Sequence, residues 1–524
     1  MNPVDFRAFT GIGVPVCSAS AGTRSGTLLH SNDRPTQESV SLPAARKSRG
    51  IDPIEKTLWG LLIFSLPFTD VQFPKQARGF GEPSTYLTIV LWVFVLLRIL
   101  RRKESLRFLK SKPFLFMFLF WLVAGLSILQ SSKAPPSPWI DYSNPWKTSV
   151  EQFVQLSVSL SIVFFTVFYV RSWRDFRIAM SAYFAGWVGS LFAQMLDFAA
   201  YFRPESTALS VIENFIHHTG WWQFLGPIPR LRLGGAEASW CSDYLLCLIP
   251  FFVLRAYYWK SRMWNAVNAT ASVLILFGTM SFGGLAAFFG EVVLMAFALG
   301  RRAIGFLLLA GAVPLLMALV ISPIYVSWVW DRAMGVYENG IQGSDYSVRI
   351  RTALTEAAWN TFEEHPWLGV GIGNSTFYIL GDMPGWAMAD PDIKASFRDP
   401  INVPDFYAQI LSETGLLGTG LFVMMLASMA LGLFRAHRSA PERWKKSVYI
   451  GILIVLLGQV AHYVSVNRFF IHYWYFIWGL AICAPRLLSQ NDPKISQRCA
   501  VVPKFALGVL ESQSAKVLRR AEFL

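Results

Sequence analysis

The chain is poor in charge: 15% of its 524 residues are Asp, Glu, Lys or Arg, against 53% hydrophobic. Soluble domains carry about 25% charge, so the balance excludes a water-soluble enzyme and indicates a membrane protein. Cysteine is scarce as well. The five (Cys17, Cys241, Cys247, Cys483, Cys499) form no CxxC pair, and most lie in or beside apolar runs. That removes a structural zinc and a disulfide framework, and leaves small core residues. Residues 1–50 lack a sustained apolar stretch and are rich in Ser, Thr, Arg, Gly and Pro, which reads as a disordered tail and not a cleaved signal peptide. No internal repeat divides the chain, so the two-halved pattern of many transporters is missing.

Long apolar runs are what the chain has instead. They recur near 57–72, 84–100, 113–130, 151–170, 178–200, 239–257, 265–281, 284–299, 303–322, 407–434, 447–466 and 470–485. A spanning helix needs about 20 residues, so about twelve spans are expected, some short or tilted. The 20 Trp and 42 Phe suit interfacial belts and lipid-facing packing. The formal charge of +14 matters through its distribution. If the tail lies inside, the basic segments at 98–112 ("RILRRKESLRFLKSK"), 171–177, 255–262, 435–446 and beyond 491 share that side. Positive residues concentrate on the cytoplasmic face of membrane proteins. Both termini are therefore expected in the cytoplasm, and the charge is a topology signal with no nucleic-acid partner behind it.

The expected architecture is an all-α polytopic membrane protein. Tail 1–50 precedes helices 1–9 within 51–322, which include an outer loop at 201–238. A large outer loop at 323–404 separates them from helices 10–12 in 405–490, and a tail follows at 491–524. Long loops in a compact protein carry function or are disordered, and these two hold too many aromatic and apolar residues for disorder. In "SDYSVRIRTALTEAAWNTFEE", Ile350, Leu354, Ala357, Ala358 and Phe362 recur at helical spacing. That predicts an amphipathic helix near the membrane surface, ending at His365-Pro366. The stretch "EEHPWLGVGIGNSTFY" follows, with Gly369, Gly371 and Gly373 at alternate positions. Glycines so spaced bend the backbone and admit close approach to another surface. Their spacing is not GxGxxG and no βαβ unit surrounds them, so a dinucleotide site is excluded. A loop folding back over a membrane cavity is the expectation.

These residues resemble the bacterial O-antigen ligase and Wzy-type polysaccharide polymerase superfamily. "SVRIRTALTEAAWNTFEEHPWLGVGIGNSTF" is similar to the family's Arg-containing helix and its "(N/H)P-x-x-G-x-G-x-G/N" turn. "PDFYAQILSETGLLGTGLF" looks like the "HN-x-Y-L-x-x-L-x-E-x-G-x-x-G" helix entry, and "RLRLGGAEAS" like an "R-x-x-G-x-x-E-P-S" element. The resemblance implies a C-type, metal-independent glycosyltransferase of the bacterial inner membrane, without a cofactor, whose large loop is periplasmic. Its donor is implied to be an undecaprenyl-diphosphate-linked glycan and its acceptor another glycan or lipid A-core. A flippase and a chain-length regulator are the implied accessory partners, beside the lipid bilayer itself.

Such chemistry needs cations for the pyrophosphate and a base for the acceptor hydroxyl. Arginine suits the first, with a permanent charge and a planar donor fork. The candidates are Arg232, which matches the Arg of the "R-x-x-G" element, then Arg349 and Arg351, with Arg230, Arg398 and Arg468. Glu237 is a plausible acceptor-sugar contact. Two departures stand out: Phe282 occupies the place of a phosphate-binding Arg in ligases, and Pro404 and Asp405 replace the His-Asn whose His is the proposed base. Asp405, Gln409 and Glu413 form a polar stripe at i, i+4, i+8. Asp405 is a candidate base or a helix cap, and Glu413 an orienting or substrate-binding group. His462 and His472 are rival bases or core histidines. His365 and the three glycines are read as the structural turn. The departures favour a polymerase over a ligase, with a transporter or a non-catalytic accessory protein as other classes.

Overall fold

The computed structural model describes residues 52–71, 81–102, 107–135, 144–202, most of 224–258, 262–300, 346–396, 403–466 and 471–489, with isolated positions between 206 and 211 and between 327 and 340. Helices dominate. In chain order they are α1 Pro53–Ser65, α2 Pro83–Arg102, α3 Lys112–Ser127, α4 Pro145–Tyr169, α5 Trp173–Phe202, α6 Ala238–Tyr258, α7 Arg262–Gly278 and α8 Phe282–Leu299. Then come α9 Tyr346–Glu364, three short helices α10 Ser375–Tyr378, α11 Gly385–Ala389 and α12 Pro391–Ser396, and finally α13 Phe406–Ser439, α14 Arg443–His462 and α15 His472–Ser489. The described strands, β1 Phe224–Leu225 and β2 Ile228–Pro229, form one two-residue antiparallel pair with Leu225 opposite Ile228.

Local chemistry sets several helix starts. Pro opens α1, α2 and α4, where its missing N–H costs nothing because that group has no helical partner. Asp52 caps α1 by accepting from the Ile54 amide at 2.9 Å, and Asn144 caps α4 by accepting from Lys147 at 3.2 Å.

Helices occupy eleven of the twelve apolar stretches; the ninth, at 303–322, lies outside the described residues, as do tails 1–50 and 491–524. Among the described residues seven helices are long and apolar enough to cross a membrane: α2, α3 with its following turn, α4, α6, α8, α13 and α14. The protein is thus a polytopic membrane protein. With 13 residues, α1 spans only about 20 Å of the roughly 30 Å hydrocarbon layer.

Two helices form the centre. Nearly every residue of α6 is buried, and α15 buries every residue from Tyr473 through Ala484, including a glycine position against α4. That position is Gly479, where a Cβ would lie 2.5 Å from Thr166 Cβ of α4. Peripheral helices show the reverse pattern. Ile89, Val93, Leu96 and Leu100 are all exposed on one face of α2, and Phe289, Val293 and Phe297 on one face of α8. Apolar stripes of this kind belong against lipid tails.

The segment 346–396 has a small core of its own. Leu354, Ala357 and Ala358 of α9 pack with Ile379, Met383, Ala387 and Ile393 from α10–α12 and their turns, and with Val403 and Ala408 at the entry to α13. The apolar face foreseen for α9 exists, but its cover is the loop's own short helices and the start of α13. Arg349 closes the assembly by ion pairs of 3.0 Å with Asp390 and Asp392.

Candidate functional site

The glycine turn is stitched into a broken helix. Within α13, Gly415 has φ 63° and ψ −166°, a conformation open in practice only to glycine. The break leaves two carbonyls above it and two amides below it without helical partners. Segment 366–371 supplies all four: Val370 N donates to Ser412 O (2.8 Å) and Gly371 N to Glu413 O (3.1 Å), while Leu416 N donates to Pro366 O (2.8 Å) and Leu417 N to Trp367 O (3.3 Å). Such contact requires bare backbone on both sides. A Cβ on Gly369 would fall 2.4 Å from Glu413 C, and one on Gly415 would fall 2.3 Å from Trp367 C. The turn then runs between α3 and α4, where Ile372 N donates to Ser127 Oγ at 3.1 Å and Ser149 Oγ donates to Ile372 O at 2.7 Å. Gly371 and Gly373 take φ 101° and 79° to make this path. His365 stands at the turn's start with its ring edge-on to Tyr378.

Glu413 belongs to this junction. Its Oε1 accepts from Ser375 Oγ at 2.8 Å and Gln409 Nε2 at 3.1 Å, so it ties α10 to α13. Asp405 is the N-cap of α13, accepting from Tyr407 N at 2.8 Å and Ala408 N at 3.3 Å. Burial holds its carboxyl above the ordinary Asp range even though both amides pull it down. Of its two sequence-based readings, the geometry displays the cap.

A second convergence lies at the turn from α7 to α8. Segment 230–233 runs along it: Arg230 Nε donates to Thr279 O at 2.9 Å and Leu231 N to Gly278 O at 3.0 Å. Ser281 caps α8, accepting from Gly284 N at 3.3 Å, so the positive end of an 18-residue helix faces the same place. From the loop helix, Arg351 NH1 donates to the carbonyl of Ser465 at 3.3 Å. Ser465 lies on Gly283, where a Cβ would sit 1.8 Å from its Oγ and 3.4 Å from His462 Cδ2. The backbone is strained on both sides of the contact. Leu233 and Met280, at φ 51° and 52°, are the non-glycine residues with positive φ among the described residues. Strain of this sort collects at functional sites.

The two histidines are both buried and paired. His462 Nδ1 lies 2.8 Å from Asp243 Oδ1, both side chains wholly inaccessible, and Tyr473 Oη donates to Asp243 Oδ2 at 3.4 Å. Among the described residues His462 Nε2 has no hydrogen-bond partner. His472 Nδ1 lies 2.6 Å from Ser84 Oγ and 3.1 Å from Glu82 Oε2.

The other expected residues spread further. Arg232 is buried and within 3.8 Å of Asp70, and its amide donates to Gln194 Oε1 at 3.1 Å. Arg349 is engaged within the loop, as described above. Glu237 accepts from Ser239 Oγ at 3.0 Å ahead of α6. Arg398 and Arg468 lie outside the described residues. Arg230 thus binds the α7–α8 turn at Thr279, Arg351 holds Ser465, and Ser465 and His462 pack on Gly283, whereas Asp405 and Glu413 serve the α13 junction. Asp70, Glu82, Asp243 and Glu291 escaped the sequence reading. The signal for the last two was present: an ionisable residue inside an apolar run, in "SWCSDYLLC" and "FFGEVVLM".

No curated protein matches the chain. A protein-family model does, over a stretch that takes in the Thr279–Gly284 turn, the loop helix, the glycine turn and the Glu413–Gly415 break; "RLRLGGAEAS" lies before it. Residues 267–423 match the family Wzy_C, O-antigen ligase, which supports the resemblance of this part of the chain to the O-antigen ligase and Wzy family.

Proposed function

We propose that the protein is a membrane glycosyltransferase that polymerises lipid-linked glycan. Its donor is a glycan on undecaprenyl diphosphate and its acceptor a second lipid-linked repeat of an exopolysaccharide or O-antigen. The end of the bundle that carries residues 346–396 faces the periplasm from the bacterial inner membrane. The observation behind this reading is that Arg230 binds the turn leading to the capped start of α8 at Thr279, while Arg351 holds Ser465, which packs on Gly283 in the first turn of α8. Two guanidiniums and a helix N-terminus stabilise a departing pyrophosphate as negative charge builds on it. Arg230 reaches the carbonyl of Thr279, three residues before Phe282, the position where ligases carry their arginine. A cation absent from the chain at 282 is thus supplied through space. Arg232, paired with the buried Asp70, shapes the segment that presents Arg230.

Ligation to lipid A-core is the second reading, and the family match over residues 267–423 supports it equally. Removing the gene separates the two. Loss of long chains with single repeats still exported means polymerase; long chains stranded on the polyprenyl carrier mean ligase. An unchanged glycan profile sinks both and brings forward a transporter or accessory role. Within the deletion strain, Arg230→Ala should lower glycan transfer at least about 100-fold at normal protein abundance, the scale of losing one charged transition-state donor. Wild-type transfer by that variant would remove the pyrophosphate assignment.

A further inference from the structure

The reaction needs an acceptor for one proton, and position 404, where the resemblance implies a histidine, holds Pro404. Asp405 beside it holds both cap amides of α13 on its Oδ1. The buried pair under the α7–α8 turn has the missing chemistry. Asp243 Oδ1 lies 2.8 Å from His462 Nδ1; with the carboxylate accepting there, Nδ1 carries the ring proton and Nε2 keeps a lone pair. No hydrogen bond from the described residues reaches Nε2 although the side chain is wholly buried. A buried nitrogen left open in this way costs stability, so its retention calls for a reason. Ring atom Cδ2, bonded to Nε2, is 3.4 Å from where a Cβ on Gly283 would stand, beside the turn that Arg230 binds through Thr279 and the Ser465 that Arg351 holds.

We propose that His462 is the proton acceptor of glycan transfer and that Asp243 is its positioning residue. This rests on the transferase reading. The acceptor hydroxyl oxygen bonds to the anomeric carbon of the donor, and the bond from that carbon to the pyrophosphate oxygen breaks. The electron pair leaves on the pyrophosphate, facing the guanidiniums, and the hydroxyl proton passes to His462 Nε2. Access comes through the turn Tyr463–Ser465, whose last carbonyl is held by Arg351 at 3.3 Å, a long bond. A donor pyrophosphate that draws Arg351 off Ser465 loosens the turn over the ring. The titratable groups around the pair are Cys247 on α6, Glu291 on α8, Tyr473 on α15, Tyr463 on the turn and Arg351 on α9.

The test uses intact cells of the deletion strain carrying each full-length variant, with long-chain glycan formed per unit of protein as the readout. The medium pH, varied from about 5.5 to about 8, spans the ordinary histidine range. His462→Gln should lower transfer by a factor of about 100 to 10,000 at unchanged abundance. Asp243→Asn keeps an acceptor for Nδ1–H but removes the charge that favours imidazolium. Transfer should fall, and its acid limb should move to lower pH; a merely structural Asp243 would lower the rate and leave the limb in place. Should His462→Gln fail to accumulate, the limb in Asp243→Asn decides alone. Wild-type transfer by His462→Gln, or an unmoved limb in Asp243→Asn, overturns the proposal even where the intact protein restores glycan to the deletion strain. If the intact protein restores nothing, the transferase reading fails and the proposal with it.

Discussion

Asp382 sits half-buried beneath the loop helix, where the Thr361 hydroxyl donates to its Oδ2 and Asn360 Nδ2 donates to its backbone carbonyl at 2.8 Å. Burial lifts its carboxyl above the ordinary Asp value and Glu364 adds to the lift, while Thr361 and His365 oppose it. The folded chain therefore holds this proton more tightly than the unfolded chain. The stabilisation is fully present below the unfolded Asp value and is lost as pH rises through the raised folded value. Asp382→Asn keeps an oxygen for Thr361 and abolishes the titration. Thermal unfolding of the purified protein should then lose less between about pH 4 and pH 7 in the variant than in the wild type. Equal losses would show that Asp382 is not a source of the slope. Asp405 shares the sign and contributes to both proteins alike. At this scale the sequence spoke unevenly. Asp405 and Glu413 stood out by spacing, because residues four apart share a helix face. Asp243 did not, because its partner His462 is 219 positions away and no periodicity reports such a pair.

Among the elements, the junction of α13 with the glycine turn carries the clearest mechanical consequence. Four backbone hydrogen bonds cross between 366–371 and 412–417, and they exist only while Gly415 holds its glycine-specific conformation. Gly415→Ala must move Trp367, whose backbone would lie 2.3 Å from the new Cβ. The cost in backbone strain alone is about 1–3 kcal/mol, and unmade hydrogen bonds add to it. A several-fold fall in abundance and faster proteolysis between 366 and 374 are expected. Gly420 lies five residues on, with nothing within 4 Å of its Cβ position. Gly420→Ala should be neutral or slightly stabilising, since alanine favours a helix by up to about 1 kcal/mol over glycine. Equal behaviour of the two variants would disprove the interlock. Both motifs were visible as sequence, and so was their order. Their meeting was not, because the exchange of backbone partners at a helix break leaves no side-chain pattern. The α9 helix was legible for the opposite reason: Leu354, Ala357 and Ala358 follow helical period, and all three are buried.

Across the whole molecule, the Gly283 site and the loop 346–396 share one end of the bundle. The other end holds a hollow of about 490 Å³ lined by Tyr257, Tyr258, Arg262, Arg443 and Trp444, at the far termini of α6 and α14 from Asp243 and His462. Basic residues at that end, among them Arg435, Arg438, Arg443 and Lys446, fit the cytoplasmic side, because positive loops resist translocation. The expected orientation then puts Arg230, Arg351 and His462 on the periplasmic side, where a lipid-linked donor would be met. Single cysteines test it, placed in a chain whose five native cysteines are replaced by Ser or Ala. Glu363, at the end of α9, and Ser439, at the end of α13, are both exposed and lie at opposite ends. In intact spheroplasts a membrane-impermeant maleimide should label Glu363→Cys and spare Ser439→Cys, and permeabilisation should expose the second. The reverse pattern would put the arginine turn in the cytoplasm. The donor would then have to be an inward-facing lipid-linked sugar, and the +14 charge would lose its meaning as a topology signal.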